Sequence, residues 1–197
     1  KVKFVREGGL PRLVALLRSL EPAVQEQAVV VMRNLSINVQ SKVRIVKEGG
    51  LPPLIDLLSA DSHKVQEHAA VVIRNLAANN DNEAKILSAG AVPPLVNLLR
   101  TPRAAVQEQA AGALRNLSVN HENHAAIVEG EAMGPLVALL THESASVQEQ
   151  AAVTLRNLTA NTELEREIVA AGALQAMVGM MRGSSVLLQT LAAAAVR

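Results

Sequence analysis

Val24-Gln25-Glu26-Gln27-Ala28 returns as Val65-Gln66-Glu67-His68-Ala69, then as Val106 to Ala110 and Val147 to Ala151, each copy 41 residues after the last. The tripeptide Arg33-Asn34-Leu35 keeps the same beat at Arg74-Asn75-Leu76, Arg115-Asn116-Leu117 and Arg156-Asn157-Leu158. A fixed period of this size is the signature of a solenoid, in which each repeat covers the apolar face its neighbour would otherwise expose. A solenoid produces a long continuous surface, so the period bears on function as well as on fold.

Laid out at this period, the columns predict three helices per repeat. One column reads Phe4, Ile45, Ile86, Ile127, Ile168, and a linker column then reads Gly8, Gly49, Gly90, Glu131, Gly172. A proline follows closely in Leu10-Pro11, Leu51-Pro52-Pro53, Val92-Pro93-Pro94 and Gly134-Pro135. Glycine closes a helix and proline is tolerated in the first turn of the next, so a short first helix gives way to a second. The second helix places Leu13, Leu54, Leu95, Leu136 and Met177 in one column, with Leu16 and Leu17 and their equivalents three and four places on: one apolar stripe. After a polar turn, a long third helix runs through the Val-Gln-Glu-Gln-Ala motif to Arg-Asn-Leu. Asn38, Asn79, Asn120 and Asn161 stand where it stops and read as C-caps, since Asn tolerates the left-handed conformation. The repeats fall near 1–38, 39–79, 80–120, 121–161 and 162–197, in one elongated domain over 1–197.

Short, second and long third helix at a period in the low forties resemble the armadillo repeat, of β-catenin and importin-α type. The residues that carry the resemblance are Gly8-Gly9-Leu10-Pro11 to Leu13, Gly49-Gly50-Leu51-Pro52 to Leu54, and the Arg-Asn-Leu endings. Two-helix HEAT repeats lack this glycine break. In the fourth linker the glycine comes one place early, as Gly130, and the column holds Glu131. The resemblance implies an all-α, right-handed armadillo-repeat solenoid. It also implies that the third helices line a concave groove for an extended peptide, whose backbone meets Asn34, Asn75, Asn116 and Asn157. An amide that both donates and accepts suits such a ladder whatever the peptide's sequence.

At about 100° per residue, Val30, Val71, Gly112 and Val153 lie on the same face as the asparagines. In import adaptors of importin-α type that column is commonly Trp, and here there is none. Gln27, His68, Gln109 and Gln150 also lie beside it, where binders of basic peptides favour an acid. Arg33, Arg74, Arg115 and Arg156 fall at the groove edge and form a positive stripe suited to carboxylate or phosphate. Glu26, Glu67, Glu108 and Glu149 lie on the same side. They offer the opposite reading, in which each Arg pairs with a neighbouring Glu and only sets the solenoid's twist.

The remaining features narrow the function. Nineteen basic residues stand against eighteen acidic, and Phe4 is the one aromatic, so the clustered charge and stacking rings of a nucleic-acid binder are missing. The absence of cysteine removes thiolate chemistry and fits the cytoplasm or nucleus. No apolar run approaches membrane-spanning length, and no signal peptide opens the chain. His121 and His124 are spaced i, i+3 without a third ligand, so no metal site is expected, and no cofactor motif or catalytic constellation occurs. The reading is a non-catalytic scaffold or adaptor for an extended acidic or phosphorylated peptide. Its rivals are a cargo-binding transport receptor and a structural or synthetic repeat module without a natural ligand. Lys1 matches Lys42 and Arg197 matches Arg33, both inside helices, so the sequence reads as opening and closing mid-repeat, with end-to-end self-association expected through its apolar last helix.

Overall fold

The computed structural model describes residue 4, residues 7–182 and residues 185–195. Lys1 and Arg197, from which the sequence reads as opening and closing mid-repeat, lie outside the described residues, as does Val196 of the apolar last helix. Every regular element among the described residues is a helix. The chain resolves into two compact units, Lys1–Pro94 and Leu95–Arg197.

The first unit holds α1 (Gly9–Leu16), α2 (Pro22–Leu35), α3 (Val39–Lys47), α4 (Leu51–Asp56, with a 3-10 turn at Leu57–Ser59), α5 (His63–Ala77) and α6 (Asn80–Ser88). Their order is the predicted one: α3 and α6 are first helices, α1 and α4 second, α2 and α5 third. The core joins Leu10, Leu17, Val29 and Met32 to Ile45, Leu54, Ile73 and Leu76, all fully or almost fully buried. Leu16 is the exception in its column and stays exposed.

The boundary between the units falls within α7 (Val92–Leu99). The second unit continues with α8 (Ala104–Leu117), a 3-10 turn (His121–Asn123) and α9 (His124–Glu129). Then come α10 (Met133–Leu139), α11 (Ala145–Thr159), a second 3-10 turn (Thr162–Leu164), α12 (Glu165–Ala170), α13 (Ala173–Met181) and α14 (Val186–Ala195). Its third helices are neighbours, α8 against α11 and α11 against α14. Ala110 and Ala151 of the recurring motif are completely buried in these helices.

The motif's first glutamine has a structural job. Gln25 donates from Nε2 to the Leu17 carbonyl (3.2 Å), Gln107 to that of Leu99 (3.0 Å) and Gln189 to that of Met181 (3.2 Å). Each serves an orphan carbonyl at the end of its own second helix and ties that helix to the third.

The linker glycines close the first helices as predicted. Gly49 lies at φ +77° and its N–H reaches the Val46 carbonyl (3.2 Å), while the Gly50 N–H reaches Ile45 (2.9 Å). This paired bonding is the Schellman closure, which needs a left-handed residue. In the fourth linker Glu131 takes that role itself, at φ 61°, with its N–H on Val128 (2.9 Å) and the Ala132 N–H on Ile127 (3.4 Å). The turn survives the loss of glycine, at the cost of Cβ crowding.

The reading of Asn38, Asn79, Asn120 and Asn161 as C-caps is overturned. Asn38, Asn79 and Asn120 have extended backbone, and all four side chains accept from N–H groups that follow. Asn38 accepts from Ser41 (3.1 Å), Asn79 from Asp81 (3.1 Å), Asn120 from Glu122 (3.0 Å) and Asn161 from Glu163 (3.0 Å). They are N-caps of the next repeat's opening turn. The carbonyls ending the third helices are served from further on, Leu76 by Asn82 Nδ2 (3.3 Å) and Leu117 by Asn123 Nδ2 (2.8 Å), both asparagines buried.

Candidate functional site

The Arg-Asn-Leu ending sits on the last turn of each third helix, where leucine must face the core. Leu35, Leu76, Leu117 and Leu158 are all buried, and the arginine and asparagine before them are turned outward. Asn34, Arg33 and Arg156 are exposed. Arg74, Asn75, Arg115, Asn116 and Asn157 are half-buried.

In the first unit these residues are joined by a chain of hydrogen bonds. Asn75 donates from Nδ2 to Ser36 Oγ (2.9 Å), and that hydroxyl donates to the Arg33 carbonyl (2.7 Å). Arg33 Nη1 stands 3.4 Å from His68 Nδ1. A guanidinium can only donate, so Nδ1 accepts and the imidazole is neutral. Burial, then the positive charge of Arg33, lowers the His68 pKa, against the opposing pull of Glu67 and Glu26. Gln27 is exposed on the same helix as Arg33.

The second unit repeats the arrangement. Asn157 donates from Nδ2 to Ser118 Oγ (3.0 Å), the Ser118 hydroxyl donates to the Arg115 carbonyl (2.8 Å), and Arg115 Nη1 donates to Gln150 Oε1 (3.1 Å). Arg156 Nη2 donates to Asn157 Oδ1 (2.9 Å). Gln109 is half-buried and Gln150 buried. The partners of Arg33 and Arg115 are thus the neutral fourth residues of the next motif, His68 and Gln150, rather than Glu67 or Glu149. At these two positions the guanidinium charge is not cancelled by a carboxylate hydrogen bond.

A cleft of about 490 Å³ opens in the second unit beside this network. Arg115, Arg156 and His121 bring cationic or ionisable groups to it, Ser118 and Asn157 bring polar ones, and Val119, Val153, Ala160 and Ala194 form apolar wall. Among the described residues no carboxylate lines it. Val153 stands in the column where importin-type grooves commonly carry Trp, and its small side chain leaves the cleft open.

Of the histidine pair, His121 lines this cleft. His124 is completely buried, and its Nε2 donates to the Ser118 carbonyl (2.8 Å). Its Nδ1, the unprotonated nitrogen, meets no hydrogen-bonding group among the described residues. Burial holds its pKa below the ordinary value; the bond to Ser118 works the other way and His121 adds to the lowering. The His121 ring packs on it at a centroid distance of 4.8 Å. Among the described residues no group of three His, Cys, Asp or Glu is placed to hold a metal, and no helix is long and apolar enough to cross a membrane.

Sequence reasoning singled out Arg33 and Asn75 in the first unit and Arg115 and Asn157 in the second, but missed Ser36 and Ser118, which bond Asn75 and Asn157, and His124, which bonds the Ser118 carbonyl. The signal was there in Ser36 and Ser118: a hydroxyl follows Arg-Asn-Leu in both.

The armadillo/beta-catenin-like repeat matches the sequence over residues 2–37, 38–78, 79–119 and 120–160. A comparison with curated protein sequences returns no match. Among solved structures the chain is similar to a designed armadillo repeat protein, at 32% identity and TM-score 0.92 over 98% of this chain and 83% of that one. The same four values hold for a second designed armadillo repeat protein, solved in complex with peptide (KR)4. Computationally designed armadillo repeat proteins for modular peptide recognition are 31% identical, with TM-score 0.91 over 95% of this chain and 80% of theirs.

Proposed function

This chain belongs to the armadillo repeat family, and from that premise we propose that it is a non-catalytic scaffold or adaptor that holds an extended peptide along its third helices. Asn34 and Asn75 in the first unit, and Asn116 and Asn157 in the second, meet the peptide backbone, while Arg33, Arg74, Arg115 and Arg156, with Gln27, His68, Gln109 and Gln150 beside them, set the side-chain preference. Solved neighbours designed for modular peptide recognition support the general mode. The Ser36 and Ser118 bonds fix the amide planes of Asn75 and Asn157 in advance, which lowers the ordering cost of binding.

The observation that carries the charge preference is the second-unit cleft, lined by Arg115, Arg156 and His121 and, among the described residues, by no carboxylate. It favours a segment bearing negative charge. The neighbour holding (KR)4 supplies the competing reading, a receptor for basic cargo peptides. Against it stand neutral residues at Gln27, His68, Gln109 and Gln150 and the lack of any Trp. The cytoplasm or nucleus is the proposed setting, since a cysteine-free chain suits a reducing compartment.

A peptide array with acidic, phosphorylated and basic members separates these readings. Retention of negatively charged peptides is the expected result. Retention of basic ones alone supports transport, and an empty array supports a structural module.

A further inference from the structure

Building on the peptide-binding reading, we propose that the cleft formed by Arg115, Arg156 and His121 is a phosphoryl pocket that seats a phosphoserine or phosphothreonine of the bound segment. A carboxylate is planar and is satisfied by one guanidinium fork. A phosphoryl group is tetrahedral, presents three strong acceptor oxygens and carries close to two charges, so it rewards several donors on different sides. This cleft supplies two guanidinium groups from successive repeats and an imidazole, with the Ser118 and Asn157 side chains between them. Arg115 gives one N–H to Gln150 and Arg156 gives one to Asn157. Each guanidinium has five, so both bonds aim the group without exhausting it. Val119 and Val153 provide apolar wall for the methylene or methyl that carries the phosphate.

One physical objection is met by the structure itself. The cleft lies at the C-terminal end of α8, where exposed carbonyls repel an anion. Here three of them are already bonded: Arg115 by the Ser118 hydroxyl (2.8 Å), Leu117 by Asn123 Nδ2 (2.8 Å) and Ser118 by His124 Nε2 (2.8 Å). The last of these comes from the buried ring on which His121 rests, so one contact both quenches a carbonyl and seats a ligand-facing imidazole. His121 has no counterpart in the other repeats, whose matching residues are Val39, Asn80 and Thr162. That singles out one pocket rather than one per repeat.

The test captures, on the full chain, a pooled peptide library with a fixed central serine made in serine, phosphoserine and glutamate forms. The expected result is that some peptides bind about ten-fold tighter as phosphoserine than as serine, the gain of one charge-assisted contact, with glutamate between. Arg156→Gln and His121→Gln, checked for intact helicity, should each collapse that ratio toward one. Arg182→Gln, which removes the same charge from an exposed position in the same unit, should leave it unchanged. If peptides bind without regard to phosphorylation, or if all three variants lower the ratio alike, the pocket is overturned and the peptide-binding reading stands. If no peptide in any form binds, both fail. Inorganic phosphate competing at the concentration of the phosphopeptide would also overturn the proposal, because the site would then read a free anion rather than a modified side chain.

Discussion

Asn157 reaches back to Ser118, Nδ2 to Oγ at 3.0 Å, and Asn75 makes the same bond to Ser36 at 2.9 Å. The residue proposed to meet a peptide is therefore also a strut between adjacent repeats. At Asn157 both edges of the amide are engaged within the protein, since Oδ1 accepts from Arg156 Nη2 (2.9 Å) while Nδ2 serves Ser118.

This double duty separates Asn75 from Asn34. Asn75→Ala should lower stability by about 1 kcal/mol, the worth of a partly buried hydrogen bond, and weaken peptide binding as well. The exposed Asn34→Ala should leave stability within about 0.5 kcal/mol of the parent while still weakening binding. In a double-mutant cycle, Asn75→Ala and Ser36→Ala should be non-additive by about 0.5 kcal/mol or more. Thermal melts alongside peptide titrations read all three. Unchanged binding in both asparagine variants would remove the ladder from the groove.

Leu54 and Leu95 are completely buried in their second helices. Leu54→Ala or Leu95→Ala should each cost about 2–5 kcal/mol, read from urea unfolding. Ala110→Leu should cost about 1–3 kcal/mol by overpacking the completely buried site it occupies in α8.

His124 predicts an acid sensitivity with a definite sign. Its folded pKa is lowered from 6.5, chiefly by burial. Above about pH 6.5 the ring is neutral folded and unfolded, and pH has no effect through it. As pH falls through that value the unfolded chain takes up a proton that the folded ring resists, so stability declines until the lowered folded pKa is reached. The buried Nδ1 would become a donor without an acceptor. His124→Gln should be less stable at neutral pH but show a flatter stability profile between neutral and mildly acidic conditions. His68, lowered by burial and Arg33, contributes in the same direction. A slope unchanged by His124→Gln would contradict the assignment.

Glu131 occupies a left-handed position that glycine fills in the other linkers. Glu131→Gly should therefore stabilise the protein by about 0.5–1 kcal/mol, and Gly49→Ala should destabilise it by about 1 kcal/mol. Calorimetric melting of the two variants gives opposite shifts if the backbone angle is the cause.

Much of this fold is legible because a solenoid writes each answer several times. The glycine break, the proline start and the apolar columns are local signals, and the third helices begin and end close to where their patterns do. The caps were misread for a physical reason. Asn38 and Asn79 stand between two helices with almost no loop, so the last residue of one and the first cap of the next share a position, and composition does not say which way the side chain turns. The strut from Asn157 to Ser118 was hidden differently. A serine after a helix looks like any surface residue until the offset between stacked helices is known, and that offset belongs to the packing of the helices, not to spacing along the chain.

The hook from Gln107 to Leu99 spans eight residues, and the rungs from Arg115 to Gln150 and from Asn157 to Ser118 span 35 and 39. Bonds that close so near to home make the chain editable in whole units. Splicing out or duplicating whole stretches of 41 residues keeps the glutamine hook and the arginine rung in register, while the asparagine strut is kept only where a hydroxyl follows Arg-Asn-Leu, as at Ser36, Ser118 and Thr159 but not at Ala77. The architecture therefore tolerates growth by tandem duplication and punishes drift in frame, and a recombination event that respects the frame yields a longer reader of the same script.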